Sequence, residues 1–228
     1  GGELASKLAV EVLESYPFGL EDPQEEMRAA FRLANQKILA LAQEKELNGM
    51  GTTLTALLLR EETCILGHVG DSRAYLIRER KIQQLTNDHS VVGELLRSGT
   101  LSPEEAMAHP QRHLLTRALG TAAEVEVDVT AFRAVLDDVL VLCTDGLTSL
   151  VEEEEIAQVI ERSYHPQQAA DELVRLANER GGTDNITVIV AYLLPPFLAK
   201  AHPLEDTVEL DGLLSEVAEE ELPPVVLC

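Results

Sequence analysis

Residues 52–85 read TTLTALLLREETCILGHVGDSRAYLIRERKIQQL. Four short segments, 52–59, 63–69, 73–78 and 82–85, are rich in apolar and β-branched residues and are separated by turn signals such as Gly70-Asp71, the pattern of strands joined by tight turns. Connections this short link neighbouring strands only when these run antiparallel, so the stretch predicts an antiparallel meander.

Upstream the period is helical. Leu4, Leu8 and Val12, with Ala5 and Ala9, recur at helical spacing, predicting an amphipathic helix that ends near Tyr16-Pro17. Asp22 reads as an N-cap with Pro23 as the first helical residue and Glu25 completing a capping box. Met27, Ala30, Phe31, Ala34, Ile38 and Leu41 form one apolar stripe, so a longer helix is predicted to about residue 45. Downstream, the strand pattern stops between residues 86 and 120. There a short helix after Asp88 and a second after Ser102-Pro103-Glu104-Glu105 are predicted, with His109-Pro110 as a stop. Strands resume at 125–129 and 139–143, helices follow Glu152 and His165-Pro166, and 186–193 reads as the last strand. Pro195-Pro196 ends the domain, leaving 195–228 as an acidic, flexible tail. This order argues an α+β class with helices packed on antiparallel sheet, and periodicity carries the fold no further.

With 228 residues, 45% of them hydrophobic, the chain can bury a large core, and one domain is the simpler reading. No apolar run approaches the ~20 residues that cross a bilayer, and Gly1-Gly2-Glu3-Leu4 does not open a signal peptide. A cytoplasmic protein is expected, and a monomer. The net charge of -22 excludes nucleic acid and anionic membrane as partners, since both need a basic footprint. After Pro195 eight acids face Lys200 alone, yet the body is acidic as well. An acidic protein can still bind phosphate where divalent cations neutralise its carboxylates. Cys64, Cys143 and Cys228 have no ligand spacing; they read as two core residues and a tail thiol.

Three aspartates flank predicted strands: Asp71 in Gly70-Asp71-Ser72-Arg73, Asp145 in Thr144-Asp145-Gly146-Leu147, and Asp184 in Gly182-Thr183-Asp184-Asn185. Mg2+ and Mn2+ prefer carboxylate oxygen and retained water, so such residues converging from different strands suit hard ions. Asp-Gly after a strand is also a common turn, and Asp before Asn can cap a loop. No single block decides between these readings.

Seven blocks occur in a telling order: Met50-Gly51-Thr52-Thr53-Leu54, Gly70-Asp71-Ser72-Arg73, Leu85-Thr86-Asn87-Asp88-His89-Ser90, His109-Pro110-Gln111-Arg112, Leu115-Thr116-Arg117-Ala118-Leu119-Gly120, Thr144-Asp145-Gly146-Leu147 and Gly182-Thr183-Asp184-Asn185-Ile186-Thr187. In that order the chain resembles the bacterial type 2C (PPM) metal-dependent serine/threonine protein phosphatases over about residues 1–193. The resemblance implies a domain at 1–194 built as a four-layer sandwich, two antiparallel β-sheets flanked by helix pairs, with residues 86–120 as a helical flap beside the metal cleft. It implies hydrolysis of phosphoserine and phosphothreonine in proteins, the targets of a serine/threonine kinase, by a water bridging two Mn2+ or Mg2+ ions, with no side-chain nucleophile. By matching position, Asp145 and Asp184 resemble ligands of the two-ion centre, and Asp71 resembles the residue that, with Asp145, holds a third. Arg112 and Arg117 are candidates for substrate binding near the flap.

The resemblance further implies an Asp-Gly block and a phosphate-contacting arginine ahead of the first helix. Gly1-Gly2-Glu3-Leu4-Ala5-Ser6 resembles only the residues immediately after that block, so the expectation is an N-terminally truncated chain, nearly inactive by itself. A non-catalytic interaction domain and a phosphatase of an anti-sigma-factor antagonist are the alternative readings. Arg73 is expected to pair with a local carboxylate. His68, His89, His109 and His113 show no metal spacing and read as neutral structural residues. Glu152-Glu153-Glu154-Glu155 reads as a solvated first helical turn.

Overall fold

The computed structural model describes residues 1–19, 21–60, 62–193 and 225–227. Two helices open the chain, α1 (Gly2–Glu14) and α2 (Pro23–Glu44). Pro23 occupies the first turn of α2 and the Asp22 carboxylate accepts the Glu25 N–H at 3.1 Å, satisfying one of the donors that a helix start leaves unpaired. The meander comes next as β1 (Leu54–Arg60), β2 (Thr63–Val69), β3 (Arg73–Arg78) and β4 (Lys81–Gln84). After α3 (Val91–Arg97) and α4 (Pro103–Met107) come β5 (Asp128–Arg133), β6 (Val139–Cys143), α5 (Asp145–Thr148), α6 (Glu153–Arg162), α7 (Pro166–Glu179), β7 (Val188–Tyr192) and β8 (Val225–Leu227).

The strands form two antiparallel sheets, ordered β5-β2-β1-β8 and β4-β3-β6-β7. Because successive strand residues face opposite ways, β1, β2, β3, β5, β6 and β7 each feed two cores. Leu54, Ala56 and Leu58 of β1 pack with Ala9, Phe31 and Ile38 of α1 and α2. Leu57, on the other face, meets Leu66, Leu76, Leu140 and Leu142 between the sheets. Tyr75, Val141 and Cys143 face away from that middle layer and pack with Ile156 of α6 and Leu173 of α7. Three cores between four layers are what the continuous apolar runs of β1 and β6 require, since both faces of those strands are covered.

Leu142 is 1% exposed in the middle layer. Leu142→Ala is expected to lower unfolding free energy by about 3 kcal/mol through lost transfer and a residual cavity. Leu136→Ala, at a side chain 58% exposed, is expected to change it by less than about 0.5 kcal/mol. Urea unfolding of both variants checks the difference.

Several sequence-based boundaries shift: β1 runs Leu54–Arg60 rather than 52–59, β4 Lys81–Gln84 rather than 82–85, and β7 Val188–Tyr192 rather than 186–193. Alternation at Val125, Val127 and Val129 does reach the first core, but the ladder of β5 starts only at Asp128, opposite His68 of β2. The flap's first helix follows Asp88 as expected and is capped by Ser90, whose hydroxyl accepts the Gly93 N–H at 3.0 Å, while the Asp88 carboxylate is taken by Arg73. Thr144-Asp145-Gly146 opens a short helix where the Asp-Gly pair suggests a turn. The strand at 186–193 is not the last, since Val225–Leu227 pairs antiparallel with β1 and satisfies part of its open edge. The rest of the tail, and the Cys228 thiol, lie outside the described residues. Among the described residues no helix is long and apolar enough to cross a membrane.

Candidate metal centre

Sheet register brings three separate stretches of chain to one edge. Arg73 pairs with Cys143 across β3 and β6, and Cys143 pairs with Val188 across β6 and β7. The start of β3, the end of β6 and the start of β7 therefore lie side by side. Asp71 immediately precedes that edge on β3, Asp145 leaves it after β6, and Asp184 approaches it before β7.

Each turn is built for its place. Gly70 has φ +118°, and a Cβ there would lie 2.3 Å from Thr53 Cγ2, so only glycine lets the Asp71 turn close against β1. Thr53 and Ser72 hydroxyls meet at 3.1 Å just below it. Thr144 ties the other two stretches together. Its hydroxyl donates to Asn185 O at 3.2 Å and accepts the Thr187 N–H at 3.0 Å, while its N–H donates to Thr187 O at 3.1 Å. Gly146 permits this approach, because a Cβ there would stand 2.3 Å from Asn185 O.

The carboxylates repel one another. Burial, together with the charges of Asp145 and Asp88, pushes the Asp71 carboxyl up to about 6. Burial and then the charge of Asp184 raise Asp145. A cavity of about 550 Å³ is lined by Asp71, Asp88, Asp145, Arg112 and His113 among others. His113 Nδ1 stands 3.9 Å from Asp145 Oδ2. Asp184 belongs to the same charge cluster through Asp145 but is not part of that lining. Among the described residues no three His, Cys, Asp or Glu side chains close around one point. Mg2+ and Mn2+ do not need such a cage: they keep several waters and take one or two carboxylates. Carboxyls raised by burial and by neighbouring negative charge in a polar cavity fit that demand, since a divalent cation would return them to the ionised form.

The remaining polar residues divide clearly. Arg73 grips Asp88 through Nε at 3.0 and 3.1 Å and Nη2 at 2.7 Å, so Asp88 faces the cavity as one half of an ion pair. Its role is hidden in the Leu85–Ser90 block, and the only hint is an arginine expected to find a local carboxylate. Arg112 is exposed and lines the cavity. Arg117 does not line it; it pairs with Asp128 at 2.9 Å and Glu126 at 3.2 Å. His68 is buried, and desolvation lowers it to about 4, so it is neutral. Its Nε2–H donates to Asn87 O at 3.1 Å, and the bare Nδ1 accepts from Thr55 at 2.9 Å.

The sequence profile of protein phosphatase 2C matches residues 1–178. The chain belongs to this protein phosphatase 2C family. The serine/threonine phosphatase stp of Listeria monocytogenes is 39% identical over 196 residues, covering 83% of this chain and 78% of that one. The crystal structure of the Mycobacterium tuberculosis serine/threonine phosphatase PstP/Ppp superposes with a TM-score of 0.78 at 40% identity, covering 85% of this chain and 83% of that one. The catalytic domain of the serine threonine protein phosphatase PstP in complex with two manganese ions matches with TM-score 0.78 and 37% identity, over 85% of this chain and 82% of that one. The four-layer α+β sandwich is thus the fold of this phosphatase 2C domain.

Proposed function

We propose that Asp71, Asp145 and Asp184 hold the divalent ions of this metal-dependent serine/threonine protein phosphatase. The chain hydrolyses phosphoserine and phosphothreonine in proteins. The observation that carries the residue assignment is the convergence of Asp71 and Asp145 at one end of the sheets, where burial raises both carboxyls and the charge of Asp145 adds to the rise of Asp71, that of Asp184 to the rise of Asp145, a cost that a fold keeps where cations relieve it. When bound, Mn2+ or Mg2+ supplies the acidification of an attacking water and the neutralisation of the phosphoryl oxygens.

The protein's own groups supply positioning. Thr144 and Gly146 set the distance between the Asp145 and Asp184 stretches. Arg73 keeps Asp88 from adding an unpaired charge to the cavity, and Arg112 is placed to meet a substrate phosphate there. Arg117, spent on Asp128 and Glu126, acts in this reading through the flap rather than on substrate. Residues 1–194 form the catalytic domain, its substrates are targets of a serine/threonine kinase, and it works as a cytoplasmic monomer. The acidic body favours phosphosites with basic flanks.

In a version that carries the Asp-Gly block ahead of α1, phosphate release from a phosphothreonine peptide is expected to vanish in excess chelator and to return on adding Mn2+. Asp184→Ala is expected to prevent that return. Hydrolysis that persists in chelator would sink the metal assignment.

A further inference from the structure

His89 is 1% exposed and lies outside the three aspartate turns, yet it is bonded to one of them twice. Its backbone N–H donates to Gly70 O at 2.7 Å, and the Gly70 N–H donates back to ring Nδ1 at 3.1 Å. Because Nδ1 is the acceptor, the ring proton sits on Nε2, and Nε2–H donates to Asp128 Oδ2 at 3.1 Å. Arg117 Nη1 is 3.3 Å from the same nitrogen, but both carry hydrogen, so both aim at the Asp128 carboxylate, which Arg117 reaches at 2.9 Å. The His89 carbonyl accepts the Thr116 N–H at 2.8 Å, Ser90 bridges to Leu115, and the Val91 N–H donates to Leu114 O at 2.9 Å. One residue is therefore bonded to the Asp71 turn, to β5 and to the returning end of the flap.

We propose that His89 is a positioning residue that fixes the Gly70-Asp71 turn against the root of the flap. The physical need is plain. Gly70 sits at φ +118° beside an aspartate that lines the cavity with Asp88 and Asp145, and a flexible glycine turn would let that carboxylate swing away from them. A bond to each side of the Gly70 peptide stops the rotation. Asp128 and Arg117 in turn lock the ring tautomer that leaves Nδ1 free to accept. The supporting shell of a metal ligand commonly sets affinity by about 10- to 100-fold.

The two ring nitrogens can be mimicked separately, which makes the test sharp. In His89→Asn the amide oxygen can stand near the place of Nδ1 and accept from Gly70. In His89→Gln the amide reaches toward Asp128 instead and leaves the Gly70 N–H without its acceptor. In the metal-free full chain, His89→Gln is expected to speed hydrogen exchange of the Gly70 amide by about 10-fold or more, and His89→Asn to hold it within about 3-fold of wild type. By calorimetric titration with Mn2+ alone, His89→Gln is expected to weaken the ion assigned to Asp71 by about 10-fold, with His89→Asn restoring most of it. Unchanged Gly70 exchange and Mn2+ binding in His89→Gln would overturn the proposal. Should that variant fail to fold, Asp128→Ala carries the same test, since it removes the acceptor that fixes the tautomer at a side chain 37% exposed; no change in Gly70 exchange there would be equally fatal. The inference rests on Asp71 as a ligand, so Asp71→Asn is titrated in parallel. Mn2+ binding unaffected by Asp71→Asn defeats the ligand assignment, whereas loss in Asp71→Asn with none in His89→Gln defeats only the role given to His89.

Discussion

In a version that carries the Asp-Gly block ahead of α1, Asp145→Asn is expected to cut hydrolysis of a phosphothreonine peptide at saturating Mn2+ by about a thousandfold or more, and to raise the thermal midpoint of the metal-free protein. The two effects have one cause. Asp145 is raised by burial and by Asp184, and Asp71 by burial and by Asp145, so removing the Asp145 charge ends the cost of its own burial and relieves Asp71. A carboxyl with an elevated value binds its proton more tightly in the folded state than in the unfolded chain. Its contribution to stability is therefore complete at low pH and is lost as pH climbs. For Asp71 that window runs from the ordinary aspartate value of 3.8 to about 6, and above it the penalty is on the order of 2 kcal/mol. The metal-free protein should accordingly lose stability across this range, and Mn2+ should restore it. Asp71→Asn should remove that slope and raise the neutral-pH midpoint by about 5 °C. Thermal melts in chelator from about pH 4 to about 7 read the stability arm, and peptide turnover reads the catalytic one. A metal-free Asp145→Asn protein that melts below wild type would refute the repulsion, and retained turnover would refute the ligand role.

Local signals mark what local physics controls. Pro23 and Asp22 locate the start of α2 to the residue, and the strands β2, β3 and β6 fall at 63–69, 73–78 and 139–143 as their apolar runs indicate. A run such as Leu57-Leu58-Leu59 cannot reveal which face meets which layer, because both faces are buried and alternation disappears. Nor can spacing place β6 between β3 and β7, a pairing that joins Tyr75 to Val141 and Val141 to Val190. That adjacency is what sets Asp71, Asp145 and Asp184 on one edge, so from the residues alone the aspartates are indistinguishable from turns, and only the order of seven blocks gives them a shared role. Asp88 and His89 show the opposite failure. Each looks like an ordinary loop residue, because its meaning lies in partners far along the chain: Arg73 for one, Gly70 and Asp128 for the other.

Gly146→Ala is expected to damage the ion site through a single added methyl. The residue lies next to Asp145 in a short helix with no positive φ, so backbone strain is not the reason. Space is: the new Cβ would fall 2.3 Å from Asn185 O, 3.0 Å from Asn185 C and 3.3 Å from Ile186 Cγ1. Two of these are backbone atoms that cannot rotate aside, so the stretch carrying Asp184 must move by about an ångström, straining the bonds that Thr144 makes to Asn185 and Thr187. Overpacking of this kind costs about 1–3 kcal/mol, a midpoint loss of roughly 5 °C in a chain of this size. The catalytic loss should be larger in proportion, since misplacing a reactive group by about 1 Å can cost 100-fold. Gly49→Ala is the control: its φ is +79° with nothing within 4 Å of the added carbon, so it should lose about 1 kcal/mol to backbone strain and keep its Mn2+ affinity. Calorimetric Mn2+ titrations of the two alanine variants, alongside their melts, separate a displaced ligand from a merely weakened fold. If Gly146→Ala binds Mn2+ as tightly as Gly49→Ala, the contact between the Asp145 and Asp184 stretches does not set the ion site.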